Sequence, residues 1–172
     1  MRLCAILTVL ILITSCKKEA PSVLYSGTKI IAHRGNGAIG SGLGQSEENN
    51  IKACNRGFSL TDGVEVDVQR SNDHYVYLFH DITVEPCGEN DIISIPASTK
   101  DKIEAYFECV DSEQKINTLN DLLATHNADY AQKEIFIDVK TIANIKTSFK
   151  MPTPQHYLNL MSQDIFDIIK NY

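Results

Sequence analysis

The most informative segment of the chain is GVEVDV at residues 63–68, which alternates apolar and acidic side chains. Because successive side chains of a β-strand point to opposite faces, Glu65 and Asp67 share one face and the three valines share the other. We interpret the valine face as one that packs against a layer of helices. The alternative is an edge strand whose acidic face is turned to water.

The acidic face of this strand predicts a metal site. Two ionised carboxylates side by side at a strand end repel each other, and a divalent cation is the usual means of keeping both charged. The segment IFIDVK at residues 135–140 repeats the alternation and puts Asp138 and Lys140 on one face. Asp138 is therefore a candidate third ligand, and Lys140 a candidate contact for a phosphate oxygen. Oxygen ligands without sulfur or imidazole favour Mg²⁺ or Ca²⁺.

Two histidines follow predicted strands. His33 ends the first strand, and His80 ends a later one. Cleavage of a phosphodiester requires one group that accepts a proton from the attacking hydroxyl and another that donates one to the departing alkoxide, and imidazole titrates near neutral pH. Either histidine alone is more simply structural. Together with the carboxylates, they are predicted to form an acid/base pair.

The rest of the chain alternates between extended and helical patterns. Strands are predicted at residues 29–33, 64–68, 76–80 and 135–140, and helices at residues 47–58, from 118 and from 154. The last helix is predicted to have Thr153 as its N-cap and Pro154 as its first residue. This alternation predicts an α/β fold with a parallel sheet, either open or closed into a barrel, and its chemistry at the carboxyl ends of the strands.

The first 16 residues differ from the remainder. Met1-Arg2 is followed by an almost wholly apolar run at residues 3–13, too short to span a bilayer, and then by small residues before Cys16. This pattern resembles a lipoprotein signal peptide at 1–16 with Cys16 lipidated, followed by a tether at 17–28. A plain secretory peptide or an uncleaved anchor are the alternatives. Lipidation predicts an extracytoplasmic, membrane-anchored protein.

Charge and cysteine content narrow the classes of function. The formal net charge of -6 comes without a basic stripe, which argues against nucleic acid as a partner. Cys87 and Cys109 either bridge one loop or stay reduced, and Cys54 fits a buried apolar position in a helix. The cysteine spacing does not fit a zinc site.

Four segments resemble the glycerophosphodiester phosphodiesterase family, whose fold is a TIM barrel. They are AHRG at 32–35, EN at 48–49, GVEVDV at 63–68 and FHD at 79–81. Asp73 matches the acidic residue of the family's D-G turn, and His74 replaces its glycine. The resemblance implies hydrolysis of glycerophosphodiesters to glycerol phosphate and an alcohol. Residue by residue, the resemblance implies that the acid/base pair is His33 and His80, and that the phosphate contacts are Arg34 and Lys140. It implies that the metal ligands are Glu65, Asp67 and Asp138. Asp138 stands where the family usually has a glutamate.

The length of the chain restricts how much of such a barrel is present. A TIM barrel takes about 250 residues and rarely fewer than about 200, whereas this chain has 172. We therefore expect residues 29–172 to be a C-terminally truncated domain that contains the first half of the barrel. The alternatives are a catalytically inactive truncated lipoprotein and a related phosphodiesterase that cleaves phosphatidylinositol or sphingomyelin.

Overall fold

A computed structural model describes residues 27–36, 48–81, 83–84, 92–110, 115–141 and 152–172. Two short turns of 3₁₀ helix, His33–Asn36 and Ile95–Ala97, accompany the longer elements of these ranges. In chain order those elements are β1 (Ile31–Ala32), α1 (Ile51–Leu60), β2 (Gly63–Arg70), β3 (Val76–Leu78), β4 (Thr83–Val84), β5 (Ile93–Ser94), α2 (Lys100–Val110), α3 (Leu119–Asp129), β6 (Glu134–Val139) and α4 (Pro154–Ile169).

The main sheet is organised around β2. Both β1 and β6 pair with β2 in parallel, and Asp67 lies opposite Asp138 in the β2–β6 register. The helices α1 and α3 are therefore part of the two connections that join parallel strands, as the α/β prediction requires. The predicted strand at 76–80 is present as β3, but it runs antiparallel to β2. The link from Arg70 to Val76 is too short for a parallel crossover and makes a hairpin instead.

The valine face of β2 is buried, as predicted. Val64, Val66 and Val68 have no exposed surface. Their cluster includes Phe58 of α1, Leu119 and Leu122 of α3, and Tyr157 and Met161 of α4. Burial of apolar side chains on this scale contributes roughly 1.5–3 kcal/mol per residue. Because β2 pairs with β1 and with β6, and Asp67 is only 1% exposed, the alternative of an edge strand with its acidic face in water is wrong.

Cys54 lies in the same core, where the helical pattern predicted a buried small apolar residue. Its thiol is fully buried on α1. Burial, assisted by the charge of Glu65, raises the pKa of this thiol to about 12. At neutral pH the group is therefore protonated and packs as an apolar side chain.

Local hydrogen bonds determine where the helices begin. The Asn50 side chain accepts a hydrogen bond from Ala53 N at the start of α1, so the helix begins later than the apolar spacing alone suggested. Thr153 caps α4 by accepting from the backbone of His156, and Pro154 is the first helical residue, as predicted. At α3, a capping box between Thr118 and its third helical residue satisfies two backbone donors.

Residues 92–110 pack onto the β2–β3 hairpin through a second apolar cluster. The sequence patterns did not assign this segment, which contains β5, the Ile95–Ala97 turn and α2. The cluster consists of Tyr77, Ile93, Ile95, Ile103 and Ile116. The core of the molecule thus has two parts, one on each side of the hairpin.

Several predictions fall on residues that the structure does not describe. They are the signal peptide with Cys16, nearly all of the tether, and Cys87, which the predicted bridge to Cys109 requires. Among the helices that are described, none combines the length and apolar character needed to cross a membrane.

Candidate active site

Three carboxylates converge on one face of the sheet, as the alternation of β2 and β6 predicted. One oxygen from each of Glu65, Asp67 and Asp138 lies within 4.8 Å of the others. Asp67 and Asp138 are directly opposite each other in adjacent parallel strands, and Glu65 lies two residues before Asp67 on the same face. Parallel register thus turns two separate sequence motifs into a single cluster.

The cluster fits a hard divalent cation. Oxygens that bind one such ion at about 2.0–2.6 Å lie at most about 5 Å apart, and the three carboxylates satisfy this spacing. Asp67 is buried, and its Oδ1 lacks a partner with hydrogen-bond geometry. An ionised oxygen in that position requires a nearby positive charge. The donor set of oxygens alone suits Mg²⁺ or Ca²⁺.

Asn49 holds Asp67 in place through two hydrogen bonds. Asn49 Nδ2 donates to Asp67 Oδ2 at 2.8 Å, and Asp67 N donates to Asn49 Oδ1 at 2.9 Å. Burial on its own would raise the pKa of Asp67, but the contacts with Lys140 and Asn49 outweigh it and lower the pKa. Asp67 is therefore ionised near neutral pH and is held rigidly towards the other carboxylates.

Lys140 extends from the end of β6 into the same cluster. Its Nζ lies 2.7 Å from Asp67 Oδ1 and 2.7 Å from Asp138 Oδ2. Burial favours the neutral amine, but the two carboxylates outweigh this effect and raise the pKa of Lys140. Lys140 thus lies on the predicted face as a permanent positive charge.

Arg34 approaches the cluster from the turn after β1. Its backbone N donates to Glu65 Oε2 at 2.8 Å, and its Nη1 donates to both oxygens of Glu48 at 2.8 and 2.9 Å. Its Nε lies 3.4 Å from Asp67 Oδ2. The hydrogen bond to Glu48 raises the pKa of Arg34 further, against the opposing effect of burial. Arg34 therefore contacts two of the three clustered carboxylates, Glu65 through its backbone N–H and Asp67 through its side chain.

The turn after β1 requires an unusual backbone. Arg34 has φ 52° and Gly35 has φ 73°, both in the left-handed region. A Cβ on Gly35 would lie 2.9 Å from the backbone N of Cys54. Glycine is therefore required where this turn packs against α1, and the packed turn directs the Arg34 N–H towards Glu65.

Both predicted catalytic histidines border the carboxylates. The His33 side chain is 73% exposed, and its Nε2 lies 3.8 Å from Glu65 Oε2. His80 Nδ1 contacts Asp81 Oδ1 at 2.7 Å. His80 also helps to lower the pKa of Asp67 through its charge, so it lies near that carboxylate.

Three residues of the site had no role in the sequence-based prediction. Glu48 and Asn49 were recognised as a motif but were given no function. Gln69 was not considered, although it continues the alternation of Glu65 and Asp67 on the same face of β2. Its Nε2 donates to the backbone oxygens of Phe79, His80 and Asp81 at 3.2, 3.2 and 2.5 Å. Gln69 thereby anchors the segment that carries His80.

Comparison with protein-family models and with curated proteins yields no match. Among solved structures, a protein assigned as a glycerophosphoryl diester phosphodiesterase from Silicibacter pomeroyi matches 84% of this chain and 54% of its own length, with TM-score 0.61 and 12% identity. The chain has the fold of these phosphodiesterases. This likeness confirms the predicted α/β fold as part of a TIM barrel.

Two further structures have the same fold. An Oleispira antarctica phosphodiesterase in complex with the product sn-glycerol-3-phosphate matches with TM-score 0.57 and 16% identity, over 83% of this chain and 52% of its own. A glycerophosphoryl diester phosphodiesterase domain from Mycobacterium tuberculosis matches with TM-score 0.52 and 16% identity, over 81% and 48%. The chain thus spans about half the length of the structures that it matches.

Proposed function

We propose that this chain belongs to a metal-dependent phosphodiesterase that hydrolyses glycerophosphodiesters to glycerol phosphate and an alcohol. The observation that carries the proposal is the convergence of Glu65, Asp67 and Asp138 within 4.8 Å. Two basic side chains and two histidines surround these carboxylates at the ends of parallel strands. The similarity in fold to phosphodiesterases, one of which binds sn-glycerol-3-phosphate, supports the choice of substrate.

The three carboxylates would hold Mg²⁺ or Ca²⁺. Such an ion polarises a phosphate oxygen and lowers the pKa of a bound hydroxyl. Arg34 and Lys140 offset the negative charge that develops on the phosphoryl group. Glu48 orients the Arg34 guanidinium through two hydrogen bonds.

His33 and His80 supply the acid/base chemistry in this proposal. One accepts the proton of the attacking glycerol hydroxyl, and the other donates a proton to the departing alkoxide. A water molecule then completes the hydrolysis. His80 Nδ1 is bound to Asp81, so Nε2 is the nitrogen that remains available for proton transfer.

Ligand binding tests the proposal independently of the rate of turnover. We expect the protein to bind sn-glycerol 3-phosphate in the calorimeter with Mg²⁺ or Ca²⁺ present and much more weakly with a chelator. Asp67→Asn keeps the side-chain shape and removes the charge, and it should weaken the cation-dependent binding by about tenfold or more. Asp129→Asn, exposed on α3, is the matched control. Equal affinities of the wild type and Asp67→Asn would remove Asp67 from the site.

Substrate assays separate this function from the two alternatives. A related phosphodiesterase would share the same carboxylates and histidines, but it would cleave phosphatidylinositol or sphingomyelin in preference to glycerophosphocholine. An inactive lipoprotein would cleave none of them. For glycerophosphocholine, His33→Ala and His80→Ala should each lower turnover by about 10²- to 10⁴-fold, and His156→Ala, exposed on α4, should leave it unchanged.

We further propose that Cys16 carries lipid and tethers an extracytoplasmic domain of residues 29–172 to a membrane. The apolar run and the small residues before Cys16 support this assignment. Mass spectrometry of the mature N-terminus should detect acylated Cys16 as the first residue. A mature chain that starts elsewhere, or with an unmodified cysteine, would contradict it.

A further inference from the structure

Lys140 forms ion pairs with two of the three carboxylates at the candidate metal site. Its Nζ is 2.7 Å from an oxygen of Asp67 and 2.7 Å from an oxygen of Asp138. The contact with Asp138 has the geometry of a hydrogen bond, whereas Asp67 Oδ1 has only the proximity of the ammonium. The ammonium group therefore lies where a divalent cation would have to bind.

We propose that Lys140 is an internal counter-ion that a divalent cation displaces, and that the released ammonium then serves as the phosphate contact. This inference rests on the proposed function and adds an order of events to it. The Asp67 side chain is only 1% exposed, so without a positive charge nearby its carboxylate would be strongly disfavoured. When the metal is absent, Lys140 provides that charge at Asp67 Oδ1, whereas Arg34 Nε lies 3.4 Å from Oδ2.

The side chain of Lys140 is suited to such an exchange. Lysine has a compact charge on a flexible four-carbon stem, so it can leave one partner for another without rearrangement of the backbone. The Lys140 side chain is 25% exposed and that of Asp138 is 52% exposed, so the cluster is open to solvent on this side. By contrast, the Arg34 side chain is held in one position, because its guanidinium makes two hydrogen bonds with Glu48.

The exchange couples the metal site to the phosphate site. The single charge of the Lys140 ammonium is already shared by Asp67 and Asp138, and a phosphate oxygen bound to the same Nζ would place a third anion beside these two carboxylates. Phosphate should therefore bind Lys140 much more tightly after a divalent cation has taken over the carboxylates. By linkage, the metal and the phosphate then increase each other's affinity through this one side chain.

The test compares Lys140→Met with Lys102→Met, which removes the same charge from an exposed position on α2. Without metal, Lys140→Met should lower the melting temperature more than Lys102→Met. It should also bind Mn²⁺ about tenfold more tightly than the wild type, because the competing ammonium is gone. In the wild type, the rate of reductive methylation of each lysine is measured by mass spectrometry. Lys140 should be methylated slowly when a chelator is present and severalfold faster when Mn²⁺ is saturating. Lys102 should be methylated at the same rate under both conditions.

The outcomes distinguish this proposal from the proposed function. If the wild type and Lys140→Met bind Mn²⁺ equally, and Lys140 stays protected from methylation when Mn²⁺ is present, the exchange is wrong. The proposed metal site is then still supported, because both proteins bind the cation. If Lys140→Met binds Mn²⁺ more weakly, Lys140 supports the metal, and the exchange is again wrong. If neither protein binds Mn²⁺, Mg²⁺ or Ca²⁺, both the exchange and the metal dependence are wrong.

Discussion

Asp67 is the residue on which most contacts of the candidate site converge. Its carboxylate accepts a hydrogen bond from Asn49 Nδ2, and its backbone N donates one to Asn49 Oδ1. The Lys140 ammonium lies 2.7 Å from Oδ1, and Arg34 Nε lies 3.4 Å from Oδ2. A buried carboxylate is stable only when such partners surround it. Its surroundings therefore keep the Asp67 carboxylate charged and fixed in position, while Asp138 remains at the exposed side of the cluster.

A strained backbone occurs at His74, in the turn between β2 and β3. Its φ is 75°, in the left-handed region. In the glycerophosphodiester phosphodiesterase family, which this segment resembles, the corresponding residue is glycine. His74 Nδ1 contacts Arg70 Nη2 at 2.8 Å and Asp164 Oδ1 at 3.2 Å. The imidazole thus has partners that offset some of the backbone strain.

We predict that His74→Gly is about 1 kcal/mol more stable than His74→Ala. Both variants lose the imidazole contacts, but only glycine adopts the positive φ without a Cβ penalty. Unfolding in urea, followed by circular dichroism, measures the difference. A stability of His74→Gly equal to or lower than that of His74→Ala would show that the turn is not strained.

At the scale of elements, the hairpin turn determines where α2 begins. Asp73 accepts hydrogen bonds from the backbone N of Lys100 at 2.9 and 3.0 Å and from Ser71 Oγ at 2.7 Å. Burial would raise the pKa of Asp73, but these hydrogen bonds outweigh it and lower the pKa. Asp73 is thus a cap for α2 that comes from a distant turn, not from the residue before the helix.

We predict that Asp73→Asn destabilises the protein by about 1 kcal/mol at pH 7. Because the folded-state pKa lies below the unfolded value of about 4, the carboxylate stabilises the fold above that value. The contribution is lost as the pH falls through the folded-state pKa. The difference between wild type and Asp73→Asn in the free energy of unfolding should therefore shrink below pH 4.

Asp129→Asn, at the exposed end of α3, is the control for this measurement. It removes the same charge without removing a cap, so its effect at pH 7 should be small. A difference for Asp73→Asn that stays constant from pH 7 to pH 2 would contradict the assignment of Asp73 as an ionised cap.

At the scale of the whole molecule, the described residues leave one side of the candidate site exposed. Phe136 lies on the same strand face as Asp138 and is 49% exposed, and the Asp138 side chain is 52% exposed. The chain spans about half the length of the phosphodiesterases that it matches.

We predict that the 172-residue chain alone hydrolyses glycerophosphocholine slowly. Displacement of reacting groups by about 1 Å can lower a rate by about a hundredfold, and an open half-site holds its groups less tightly than a closed barrel. The measurement is turnover by purified residues 17–172 with Mg²⁺ or Ca²⁺, together with the oligomeric state. Robust turnover by a monomer that is abolished in His33→Ala would contradict the prediction.

Local geometry explains why much of the sheet could be predicted from the sequence. The period of two in a strand separates Glu65 and Asp67 from the valines whatever the rest of the chain does. The caps at Thr118 and Thr153 likewise depend on residues only a few positions away. The parallel α/β arrangement and the two carboxylate-bearing faces could therefore be predicted from the sequence alone.

Contacts between distant residues were decided only by the tertiary structure. The register that places Asp138 opposite Asp67, the ammonium of Lys140 between them, and the capping of α2 by Asp73 all join separate segments. Such contacts depend on connection lengths and on how the two apolar clusters pack, which no local pattern encodes. The sequence alone determined which side chains share a face, and packing decided which of those faces meet.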